Sequence, residues 1–182
     1  MVCCSAAAQQ RGPAIKHANE VSLASLRPGR DSLTVAAKRY NAKYLLRDSA
    51  ESAKQWLDAC TGRLLLLQLD GHALIQSVTV SALAPHDGKC DSRQLDPLDT
   101  RDWVTGSGLK LGDPEGRVTD LYGEPQGSGP AEKGGTELEF LDYDFDWAGA
   151  NVPQSMRVYC ARDTGRVLEI ILANSALADS QP

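Results

Sequence analysis

With 182 residues, 42% of them hydrophobic and 24% charged, the chain has a globular composition and enough length to bury a core, so disorder is not the default. The longest strongly apolar run, Leu64–Leu67, is four residues, whereas a membrane-spanning helix takes about 20, so no transmembrane segment is expected. The net charge of -5 divides unevenly: residues 1–95 carry 12 Lys+Arg against 8 Asp+Glu, residues 96–182 carry 7 against 16, and the acidic second half argues against a nucleic-acid partner.

The N-terminus, MVCCSAAAQQ, has neither a charged n-region nor a long apolar h-region. Ser5-Ala6-Ala7-Ala8 ahead of Gln9-Gln10 nevertheless has the small-x-small pattern of a signal-peptide cleavage site ending near Ala8. Two readings stand. The stretch is the remnant of a signal, which implies an exported protein of the periplasm, envelope or exterior, or it is the disordered tail of a cytoplasmic one. Under both, residues 1–21 are expected outside the fold.

A first unit is expected over residues 22–85. Gly29 allows a tight turn, Asp31 starts a short helix by capping free N–H groups, and the helix ends at Tyr40-Asn41. AKQWLDAC reads two ways, because Ala53, Trp56, Leu57 and Cys60 also fit the i, i+3, i+4, i+7 spacing of a helix. Its counterpart in the second half favours a strand. RLLLLQL and HALIQSVTV flank Asp70-Gly71, a two-residue hairpin signal.

Residues 86–104 read as a linker, residues 105–177 as a second unit and residues 178–182 as a tail. In LKLGDPEGRVTDLYGEP, from Leu109, Gly112 marks a turn, Asp113-Pro114 a helix start, and Tyr122-Gly123 its end, with Pro125 blocking continuation. TELEFLDYDFDW follows as a strand, then SMRVYCA and RVLEIILAN as a hairpin whose longer turn ends at Gly165. Leu26, Gly29 and Val35 align with Leu109, Gly112 and Val118 at an offset of 83, and Gly71 and Leu74 with Gly165 and Leu168 at 94. The expected fold class is therefore α+β: two tandem repeats, each a short helical segment plus a three- or four-stranded antiparallel sheet.

That repeat order, Leu111-Gly112-Asp113 at the helix start and Leu121-Tyr122-Gly123-Glu124-Pro125 at its exit resemble the tandem repeats of the β-lactamase inhibitory protein and the single repeat of BamE-type outer-membrane assembly lipoproteins, over residues 22–177. The resemblance implies an exported, non-enzymatic protein that binds another protein. It carries over no binding residues, since these motifs determine fold and not activity.

Few residues suggest chemistry. Asp142, Asp144 and Asp146 alternate, but a calcium loop needs Gly at its sixth position and an acid at its twelfth, and here those are Trp147 and Pro153. A strand with Leu141, Tyr143, Phe145 and Trp147 on one face and the aspartates on the other explains the spacing better, with a weak cation- or partner-binding patch as the alternative. GEPQGSGPAEKGG has no Gly-Lys-Ser/Thr, so it reads as a connection and not a phosphate loop, and Gly106-Ser107-Gly108 lacks the spacing of a nucleophile elbow. The cysteines and His17, His72 and His86 show no zinc spacing, and no metal or cofactor is expected. Of the five cysteines, Cys60 and Cys90 could close a disulfide in an oxidising compartment; small buried hydrophobes are the alternative. The functional expectation is a protein partner bound on a sheet face by exposed aromatics such as Trp56 and Trp147. The alternative is a small hydrolase using His72 or His86 with second-half carboxylates.

Overall fold

The computed structural model describes residues 19–40, 52–58, 61–84, 100–145 and 153–174. In chain order the elements are α1 (Leu33–Arg39), β1 (Ala53–Asp58), β2 (Arg63–Leu69), β3 (Ile75–Ser81), α2 (Glu115–Tyr122), β4 (Gly127–Lys133), β5 (Thr136–Asp144), β6 (Ser155–Ala161) and β7 (Val167–Ala173). Cys60, Cys90, His86, Asp146 and Trp147 lie outside the described residues, and with them the disulfide expectation and half of the aspartate–tryptophan patch.

The fold departs from the expected pair of tandem α+β repeats. The strands do not form two sheets in two tandem α+β units; among the described residues they form one seven-stranded antiparallel sheet of order β1-β2-β3-β7-β6-β5-β4, with two short helices against it. The joint is β3 on β7, where Ser77–Ser81 pair antiparallel with Ala173–Glu169. Separate sheets would each have left the last strand of their hairpin as an edge with unpaired backbone groups. Pairing β3 with β7 satisfies both rows at once.

Side-chain alternation on each strand sets the two faces of this sheet. One row runs Trp56–Leu65–Val80–Ile170–Val158–Leu141 across six strands, and the next runs Leu67–Val78–Leu172–Met156–Tyr143; all are buried. Ala36 of α1, Val118 and Tyr122 of α2, and Leu23, Leu26, Trp103 and Leu109 from the connecting segments complete that core, so both helices lie on this face. Burying each large aliphatic chain contributes about 1.5–3 kcal/mol.

The helices start differently from the expectation. Neither Asp31 nor Asp113 caps one: the N-cap residues are Ser32 and Pro114, without side-chain caps. Asp31 instead accepts the Arg27 N–H at 2.8 Å and Asp113 the Lys110 N–H at 3.0 Å, each closing the turn before its helix. The first helical N–H of each helix is satisfied by a hairpin turn, Leu33 donating to the Ala73 carbonyl (2.9 Å) and Glu115 to that of Gly165 (2.8 Å). Gly29 to Ile75 (2.7 Å) and Gly112 to Val167 (2.8 Å) anchor the preceding turns in the same way.

The β2–β3 turn is likewise longer than a two-residue hairpin. Asp70 N–H bonds the Leu74 carbonyl at 3.0 Å across Gly71, His72 and Ala73, and the left-handed residue is Ala73 (φ 60), not Gly71. Gly165 (φ 61) holds the matching place before β7, so the structural partner of Gly165 is Ala73 and the offset of 94 read from the glycines does not align the turns. A three-residue connection with its third residue left-handed preserves strand register where an Asp-Gly pair alone would not have reached Leu74.

Candidate functional site

Two places gather polar side chains in ways that packing alone does not require. One is the second face of the sheet, opposite the helices. The other is a carboxylate held between the N-terminal segment and α2.

On the second face the central rows run Leu57–Leu64–Ser81–Glu169–Tyr159–Phe140 and Gln55–Leu66–Thr79–Ile171–Arg157–Asp142. The β1–β2 side is aliphatic, with Leu57, Leu64 and Leu66 half-buried, and Ile171 of β7 extends it. The β5–β6 side is charged but paired. Arg157 faces Asp142 directly across the strands and donates from Nε to Oδ1 (2.5 Å) and from Nη2 to Oδ2 (2.7 Å), a bidentate fork. The hydrogen bonds to Asp142 raise the Arg157 pKa further above its ordinary value, against a smaller opposing effect of burial.

The Arg157 guanidinium also lies over the Phe140 ring, 5.1 Å from its centroid. On the neighbouring strand the position opposite Phe140 is Gly129, where an added Cβ would stand 3.1 Å from the ring; glycine is there because the aromatic covers it. Lys133 bonds Glu169 at 2.5 Å and sits 3.8 Å from the Tyr159 ring centroid. The result is a face with one aliphatic flank and one flank of aromatics held by cross-strand ion pairs.

The carboxylate of Glu20 is the feature that sequence reasoning missed. Glu20 is 1% exposed. Its Oε1 accepts the N–H groups of Val21 (2.8 Å), Ser22 (3.1 Å) and Gly106 (2.9 Å), and its Oε2 accepts Ser107 N–H (2.9 Å) and the Tyr122 hydroxyl (2.8 Å). Since Tyr122 spends its single proton on Glu20, the 2.7 Å contact to Thr105 has the threonine hydroxyl donating, while Thr105 Oγ1 accepts Leu109 N–H at 3.0 Å. A Cβ on Gly106 would come within 2.6 Å of Glu20 Oε1, so this residue must be glycine for the carboxylate to reach.

Burial pushes the Glu20 carboxyl up, but the N–H donors of Ser22 and Ser107 and the Tyr122 hydroxyl outweigh it and hold the pKa below the usual carboxylate range. Burial, reinforced by the charge of Glu20, raises that of Tyr122 well above the ordinary phenol. A carboxylate with five donors and a depressed pKa is a weak base, so this arrangement is a staple and not an acid–base catalyst. The signal that could have found it is Gly106-Ser107-Gly108, whose adjacent N–H groups form a place for an anion.

Asp142 and Asp144 do lie on the opposite face of β5 from the buried Leu141 and Tyr143, with Asp142 engaged by Arg157 and Asp144 exposed at the strand end. Trp56 is not a surface aromatic: it is 0% exposed, on the core face, its ring centroid 6.1 Å from that of Tyr40. It falls inward because strand alternation places it in register with Leu65. His72 is exposed in the β2–β3 turn, where the N–H groups of Leu74 and His72 bind the Asp70 carboxylate and hold its pKa below the usual range. Cys160 is a free thiol with 0% exposure, its pKa pushed up to about 12 by burial and by the charges of Glu115 and Glu139, which makes it unreactive.

Among the described residues no group of three or more His, Cys, Asp or Glu side chains is placed to hold a metal ion, and no helix is long and apolar enough to cross a membrane. No known family and no curated protein matches the chain. Among solved structures it is similar to a cysteine-rich secretory protein from Staphylococcus aureus, at 12% identity and a TM-score of 0.46. The match covers 87% of this chain and 48% of that one, so the chain spans about half the length of that protein. A likeness of this degree transfers no function.

Proposed function

We propose that this chain is an exported, non-enzymatic protein that binds another protein on the second face of its sheet. The observation that carries the reading is the composition of that face: half-buried Leu57, Leu64, Leu66 and Ile171 beside the half-buried Phe140, whose ring lies under the Arg157 guanidinium fixed by Asp142. Interfaces that bind proteins combine such an apolar area with aromatics and arginine, and side chains already held in one geometry lose less entropy on association. Leu66 and Ile171 replace Trp56 as the anchors, because Trp56 belongs to the core.

Export rests on the small-residue stretch Ser5–Ala8. The hydrolase reading gains nothing from His72, whose neighbouring carboxylate Asp70 is committed to Leu74, His72 and Gln76 within its own turn.

The test is site-specific photocrosslinking in the source cells, with the reactive side chain placed in turn at Leu66, Ile171 and, as a control on the helix side, the exposed Val35. The reading expects one discrete adduct from Leu66 and Ile171, absent from Val35, in an envelope or extracellular fraction. Equal labelling at all three positions, or none at either sheet position in a folded protein, would overturn it.

A further inference from the structure

We draw no further inference here: the strongest candidate, the aliphatic patch of Leu57, Leu64, Leu66 and Ile171 on the second face of the sheet, belongs to the surface already proposed for partner binding, and nothing in the structure shows what covers it.

Discussion

Ala73 holds a left-handed backbone (φ 60) at the position where the other hairpin uses Gly165 (φ 61). A side chain in that region costs on the order of 1 kcal/mol relative to glycine, partly offset by the greater freedom glycine gives the unfolded chain. Ala73→Gly is therefore expected to leave stability unchanged or raise it by up to about 1 kcal/mol. Urea denaturation reads this directly, and a clear loss would mean that the Ala73 methyl makes a contact worth more than the strain. Glu20 offers the converse case. Glu20→Gln keeps the shape but weakens five charge-assisted hydrogen bonds, and an expected loss of about 1–3 kcal/mol at neutral pH follows. Because the folded pKa of Glu20 is depressed, its contribution is fully present above the ordinary carboxylate value of 4.5 and is lost as pH falls through the folded value. The stability gap between wild type and Glu20→Gln should accordingly shrink below pH 4.5. Chemical denaturation at several pH values measures it, and a gap that widens toward acid would contradict the staple.

Strand β4 is the clearest case at the level of elements. GSGPAEK has little strand propensity, and from its glycines and proline the stretch reads as a connection, yet it pairs along its whole length with β5 as the edge of the sheet. Two features reconcile the residues with the role. Pro130 has no N–H to offer a neighbouring chain, which suits an edge, and Phe140 covers the missing side chain of Gly129. Gly129→Ala is expected to cost about 1 kcal/mol or more by pushing the ring away from Arg157. In a Phe140→Leu background the same substitution should cost less. A double-mutant cycle of melting temperatures isolates that coupling, and additive effects would show that the ring and the glycine are independent. The strand was hidden from sequence reading because its stability comes from β5 and from Phe140, both remote in the chain, rather than from its own residues.

For the whole molecule, the β3–β7 joint makes one sheet and one core out of two halves of the chain. Unfolding is expected to be a single cooperative transition in which far-UV circular dichroism and tryptophan fluorescence, to which the buried Trp56 and Trp103 contribute, coincide. Two resolved transitions would indicate that each half stands alone. A proline at Thr79, where β3 meets Ile171 of β7, removes a backbone donor from a central strand and should unfold both halves together, costing about 3 kcal/mol or more.

Local chemistry was enough to specify the local pieces: the β2 and β3 strands from their apolar runs, the short helices after Gly29 and Gly112, the break at Gly123 (φ 79), and the alternation that separates Leu141 and Tyr143 from Asp142 and Asp144. Each of these depends on propensity, period or a single backbone angle, which neighbours in the chain determine. Tertiary structure alone decided that the two hairpins share a sheet, that Trp56 turns inward, that Glu20 reaches Gly106 and Tyr122, and that Arg157 consumes Asp142. Those outcomes depend on which edges find each other and on which buried charges meet donors, and both are settled by contacts between residues far apart in sequence, where a one-residue change of register exchanges the two faces of a strand.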